Sequence, residues 1–434
     1  MEVYRERRAR VSRRLPADAL MLISGGAHAQ RSNDTDFRFR PNSDFHYLTG
    51  LAEPDGALLI RGGGAPEAVL FVRPRDRAAE IWAGRRLGPE AAKAQAGVED
   101  AMPIASLEKE IQRRLSGVRE VHLDLHQAPF LAPIVLTATR ALQRQDRAGV
   151  ISPTRLVDLR AVMGEERLVK DAAALGALRY AIDLSARGHR EAAAHLRPGQ
   201  FEYEFEARLE YEFRRHGSTG PGYGSIVGAG DNANILHYVD NNGRIDDGDV
   251  LLVDAGCEWE LFTGDITRCY PASGNFSAPQ RALYDVVLRA NEAGIHQTVV
   301  GNDINAIHDH CVEILVDGMI DLGLLRGPRA RCIEQGDYKR FYMHRTSHWL
   351  GVDVHDVGTY CVDGVARPLA PGHVITVEPG LYVASDAEDV PDAFRGIGIR
   401  LEDDVLVTAD GPEILSARAP KAPDEVEDLV GSAR

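Results

Sequence analysis

The stretch GDVLLVDAG at 248–256 recurs in altered form as GHVITVEPG at 372–380. Both read Gly, a variable residue, Val, an aliphatic, a variable residue, Val, an acid, a variable residue, Gly. An apolar run of this kind, closed by an acid and a turn, predicts a buried strand. Each strand delivers one carboxylate at its end, Asp254 or Glu378. A second acid follows in the next apolar stretch: Asp265 in GDITR and Glu402 in GIGIRLEDD. The pattern predicts an old duplication. Two β-hairpin halves would face each other across a pseudo-twofold axis, each giving two acids to one centre. There is no tandem repeat of solenoid period.

Residues i and i+2 of a strand share a face, so Asp254 is expected beside Val250 and Leu252 and substantially buried. An isolated buried carboxylate is very costly. Four that converge repel one another and rise in pKa unless cations neutralise them. Two divalent cations match four carboxylates in charge, with a neutral imidazole as an extra ligand, so the balance favours two metal ions over one. HRTSHWLGVDVHD at 344–356 supplies candidates, packing His344, His348 and His355 with Asp353 and Asp356. A set of mostly oxygens with one nitrogen is harder than the Cys and His sets of structural zinc sites. Mn²⁺ is the expected ion, with Co²⁺ or Zn²⁺ able to substitute. HExxH is absent, which argues against a zincin.

A chain of 434 residues is too long for one ordinary core and predicts two domains. Residues 19–24, 56–60, 68–72 and 121–125 read as buried strands of an α/β unit, with helices at 78–84 and 104–117. Leu175, Leu178 and Ile182 then mark one helix within 161–196, stopped by Arg197-Pro198-Gly199. Phe205, Leu209 and Phe213 mark a second, ended by Gly217. The boundary is expected near 160–170, in the polar MGEERLVK segment, giving domains 1–165 and 166–434. The formal charge of -15 argues against a nucleic-acid partner and suits a substrate with a free amine. Five cysteines without CxxC spacing predict no disulfide framework and a cytoplasmic setting; they read as packing residues. The basic start, MEVYRERRARVSRRLP, reads as a solvated amphipathic helix rather than a leader. No run approaches the roughly 20 apolar residues that span a membrane.

VDAG, GDITR, SHWLGVDVHD, VEPG and IRLEDD occur in the order used by the pita-bread metallopeptidases, which residues 170–415 resemble. NSDFHYLTG (42–50) and AEIWAGRRLG (79–88) resemble the N-terminal domain of the aminopeptidase P branch. The resemblance implies an α/β N-terminal domain followed by an α+β pita-bread catalytic domain of the creatinase/aminopeptidase type. It implies an Xaa-Pro aminopeptidase working as a homodimer or homotetramer on peptides with proline in second position. Carried over residue by residue, Asp254 chelates one metal, Asp265 and Glu402 bridge both, and His348 and Glu378 complete the second. A hydroxide held between the metals is the nucleophile, and Glu378 is its general base and acid. His237 and His355 match the outer histidines that bind substrate and the developing oxyanion. His344 and Tyr382 are expected to line the substrate pocket, and Arg400 either to contact substrate or to support Glu402 as an ion-pair partner of the acidic centre. Trp82 is a core aromatic by default, whereas the resemblance sends it to a neighbouring subunit's site. The 220–234 stretch, GPGYGSIVGAGDNAN, could shape the entrance.

Two other readings stay open. A prolidase cuts only Xaa-Pro dipeptides with the same metals and acids. A metal-free pita-bread peptide-binding protein, or a metal-independent hydrolase such as creatinase, is expected to lack this acid set.

Overall fold

A computed structural model describes residues 1–64, 67–126, 128 and 130–433. The chain divides into two compact units, Met1–Arg167 and Leu168–Arg434.

The first unit holds a six-stranded mixed sheet. Ala19–Ser24 runs antiparallel to Ala57–Arg61 and parallel to Glu120–Leu123. Ala68–Val72, Asp100–Pro103 and Arg155–Asp158 complete it. The first three of these apolar strand runs are buried almost end to end, which is why their sequences do not alternate. The helix Glu2–Arg14 is not the solvated element expected, because Arg7 and Arg8 are buried. Arg8 donates to the carbonyls of Leu48 (2.7 Å) and Gly97 (2.6 Å), and Arg7 to that of Tyr47 (3.0 Å). The guanidinium groups thus satisfy carbonyls left over where other helices end. Burial lowers the Arg8 pKa to about 10.

The segment expected as one helix at 161–196 is two, Arg160–Leu168 and Ala172–Ala194. Asp171 interrupts it, its side chain accepting from the Ala174 N–H at 2.8 Å as an N-cap. Periodicity reports a buried stripe and says nothing of such a break.

The second unit repeats one plan. Helices Ala172–Ala194 and Glu202–Arg215 lead into strand Val250–Asp254, a small hairpin (Cys257–Trp259 with Phe262–Thr263), and strand Thr267–Pro271. Helices Ala278–His296 and Ile304–Asp321 precede strand Val374–Val377, a hairpin (Gly380–Val383 with Ile397–Arg400), and strand Asp403–Thr408. The long strands of each half pair antiparallel, Asp254 opposite Thr267 and Val377 opposite Asp403. The second acid of each half is not in a strand as expected. Asp265 precedes Thr267–Pro271, and Glu402 lies between Ile397–Arg400 and Asp403–Thr408. Just outside the pleat, a side chain is released from strict alternation and can turn toward the centre. Among the described residues no helix is long and apolar enough to cross a membrane.

Arg268 ties the two halves together with no exposed side-chain surface. It donates to the carbonyls of Thr267 and Glu402 (2.9 and 2.6 Å) and to Asp403 Oδ1 (2.7 Å). Lys421 reaches the other oxygen of Asp403 at 2.6 Å. Burial alone would raise the Asp403 pKa, but Arg268 and Lys421 outweigh it and hold the carboxyl well below the usual range. Removing one member of a buried pair strands the other's charge. Asp403→Ala is expected to cost on the order of 3–5 kcal/mol in urea unfolding of metal-free protein. The exposed pair Arg281–Asp285 (2.9 Å) gives the contrast, since Asp285→Ala should cost under about 1 kcal/mol.

Candidate metal centre

Asp254, Asp265, His348, Glu378 and Glu402, named from sequence, line one cavity of about 780 Å³. His237, His344, His355 and Arg400 line it too. Tyr382 does not; it is buried behind the wall. Trp82 belongs to the first unit and is 91% exposed, so it is not a core aromatic. Cys361 is exposed on a short hairpin, whereas the other four cysteines are buried as expected.

The acids reach the centre from strand ends. Asp265, His348 and Glu402 can each offer a ligand atom within 4.8 Å of the others. His348 Nε2 lies 3.4 Å from Asp265 Oδ2 and 3.5 Å from Glu378 Oε1. Its other nitrogen, Nδ1, faces the Trp349 carbonyl at 3.0 Å. That bond fixes the proton on Nδ1 in the neutral ring and turns the Nε2 lone pair toward the carboxylates. Lone pairs facing one another need a proton or a cation between them.

The carboxyl pKa values show the same strain. Burial, then Asp265, Glu378 and Asp254, drive the Glu402 pKa well above its usual range, although Thr267 donates to it at 2.7 Å. Burial and Asp254 raise Asp265. Burial, with Asp265 adding, pushes Glu378 up to about 8. Asp254 differs: against the effect of burial, Arg400 at 2.7 Å and the Tyr223 hydroxyl hold it low. One permanent cation and one imidazole do not balance four carboxylates. The donor set therefore fits divalent metal ions, with hard oxygens, one imidazole and an open cavity.

The surroundings hold these groups in place. Arg400, buried, also donates to Thr267 Oγ1 (3.2 Å) and Tyr382 OH (2.9 Å). Tyr382 OH meets His344 Nε2 at 2.8 Å, while His344 Nδ1 meets the Arg345 carbonyl at 2.8 Å. The carbonyl can only accept, so Nδ1 carries the proton and the tyrosine donates to Nε2. Burial, seconded by Arg400, lowers the His344 pKa to about 3 and keeps the ring neutral. His348 and His355 pack edge to face, centroids 4.4 Å apart. The loop between them is clasped from below. Asp356 N–H donates to the Trp349 carbonyl (2.9 Å), and the buried Lys170 ammonium meets Asp356 Oδ2 (2.9 Å). Gly351 is required there, because a Cβ would come within 2.0 Å of Asp356 Oδ2.

Sequence reasoning missed Tyr223, whose hydroxyl lies 2.7 Å from Asp254 Oδ1 and 2.5 Å from Asp265 Oδ1. It stands in GPGYG, a glycine-rich stretch expected to shape the entrance, where nothing in the sequence singles out the tyrosine. It also missed Asp404, which accepts the Asp265 backbone N–H at 3.0 Å.

In metal-free protein, Glu378 and His348 hold their protons more tightly folded than unfolded. Their values move from 4.5 up to about 8 and from 6.5 up to about 9. Each contributes stability that is complete below its unfolded value and lost as pH rises through the folded one. Melting temperatures of chelator-stripped protein are thus expected to fall between about pH 7 and 9, above the range in which the buried neutral rings of His189, His308, His344 and His373 add stability as pH rises. Divalent metal displaces those protons and should restore most stability at the high end. A metal-free profile that is flat or rises across that window would contradict this picture.

The chain is similar to known proteins over its whole length. The profile "Aminopeptidase P, N-terminal domain" matches residues 4–122, and that of "Metallopeptidase family M24" matches residues 176–409. The Xaa-Pro aminopeptidase of Escherichia coli strain K12 is 42% identical, covering 100% of this chain and 98% of its own. Zinc-substituted E. coli aminopeptidase P in complex with product superposes with a TM-score of 0.96 at 40% identity, over 100% and 98% of the two chains. Aminopeptidase PepP of Pseudomonas aeruginosa gives 0.96 at 41% identity, over 99% and 98%. The chain belongs to metallopeptidase family M24, joined to an N-terminal domain of the aminopeptidase P type.

Proposed function

We propose that this metallopeptidase is an Xaa-Pro aminopeptidase, releasing the N-terminal residue of peptides whose second residue is proline. The observation that carries this is full-length similarity to enzymes of that name, in a chain whose Asp254, Asp265, His348, Glu378 and Glu402 line one cavity. The same similarity favours it over a prolidase. The intact donors favour it over a metal-free binding protein.

Asp254, Asp265, His348, Glu378 and Glu402 would hold two divalent ions, for which Mn²⁺ suits the oxygen-rich set. Ions bound there supply Lewis acidity toward the scissile carbonyl and toward water. Glu378 takes the water's proton and returns it to the departing proline nitrogen. His237 and His355, both solvent-facing in the cavity, donate to the substrate carbonyl as negative charge develops on it. Neutral His344, held by Tyr382, forms the wall for the residue after the cut. The substrate's amine is drawn to Asp254, whose carboxylate stays ionised beside Arg400. A bond to proline has no N–H. A site that works through the carbonyl oxygen and a shaped pocket does not need one. The exposed Trp82 is free to serve a neighbouring subunit, in a cytoplasmic dimer or tetramer.

Cleavage of Xaa-Pro peptides of increasing length, with Mn²⁺ added, is expected to release the first residue from tripeptides and longer chains, and to stop on chelation. Activity confined to dipeptides would identify a prolidase instead. Glu402→Ala should lose both metals and more than the roughly 10–100-fold that loss of a supporting group costs. His355→Ala should keep its metals and lower kcat by roughly 10²–10³. Full turnover by Glu402→Ala ends the proposal.

A further inference from the structure

Two guanidinium groups line the cavity, with different partners. Arg400 is buried at the centre and gives its charge to Asp254. Arg345 is exposed, at the cavity's rim, and among the described residues it meets no carboxylate. Its side chain bonds to Asn305 Oδ1. Asn305 also lines the cavity, and its backbone N–H is taken by the helix cap Asp303 at 2.8 Å. Its side-chain NH₂ has no partner among the described residues. A guanidinium and an amide with unused donors thus line the same mouth. A planar fork of N–H groups is the usual partner of a carboxylate.

We propose that Arg345, assisted by Asn305, is a carboxylate-binding subsite and makes the enzyme prefer peptides with a carboxylate beyond the proline. This rests on the aminopeptidase reading. In that reading the substrate's amine goes to the buried acids, so the chain after proline leaves past the exposed rim. A carboxylate reaches that rim in two ways: as the C-terminus of a short peptide, or as an Asp or Glu side chain further along.

The test uses the metal-loaded enzyme and two substrate pairs. One is an Xaa-Pro-Yaa tripeptide as free acid or C-terminal amide. The other is a longer amidated Xaa-Pro peptide with Glu or Gln third. A carboxylate is expected to lower KM by roughly threefold or more, an advantage that shrinks as salt is raised. Arg345→Ala should bring KM for the carboxylate substrate up to that of its neutral partner. Arg345→Glu should reverse the preference. The pair that responds identifies the source of the carboxylate. Equal KM values within both pairs, or a preference that survives Arg345→Ala, overturn the subsite. Cleavage that is blind to charge defeats the subsite alone, whereas no cleavage of any Xaa-Pro peptide defeats the aminopeptidase reading with it.

Discussion

Four carboxylates pressed into one cavity repel each other, and the rest of the catalytic unit is arranged around that repulsion. Arg400 neutralises Asp254 alone. His348 faces two more acids with its lone pair. Burial first, and then the neighbouring acids, keep protons on the rest, so Glu378 and Glu402 sit above the ordinary carboxylate range. Divalent cations would take the place of those protons and complete the cluster. In this view the fold is a frame that makes a costly concentration of charge available to metal.

The frame achieves this by repetition. Each half brings its acids in at a strand end and just before the neighbouring strand, so one geometry is used twice. The seam is then locked from below by Arg268, whose donors bind the backbone of Glu402 and the side chain of Asp403 together. Asp404 does the same for the Asp265 backbone. The backbones of Glu402 and Asp265 are thus each held by a buried polar side chain from the other half. The loop from His348 to His355 is fixed in the same manner by the buried Lys170–Asp356 pair. Catalytic sites with tight positional demands use such buried support, because a small misplacement of the reacting groups is expensive in rate.

Much of this was legible in the sequence because it is periodic or local. Valine strands ending in acids, the helical stripe of Leu178 and Ile182, and the order of the motifs all lie along the chain. What could not be read depends on distant residues. Tyr223 looks like one residue of a glycine-rich turn until the fold carries it to Asp254 and Asp265. Arg7 and Arg8 look like solvated charge until helix ends place carbonyls against them. Tyr382 follows VEPG and so suggests pocket lining, yet strand alternation turns it behind the wall toward Arg400 and His344. The break at Asp171 is a matter of one capping bond, too small to disturb a hydrophobic pattern.

If these five side chains form a paired metal site, metal must gather at the point where they converge. An anomalous difference map from crystals soaked in Mn²⁺ locates any bound ions. Two peaks are expected where the five side chains converge, roughly 3.5–4 Å apart. A map without density at that point, or with Mn²⁺ held only elsewhere on the protein, would contradict it.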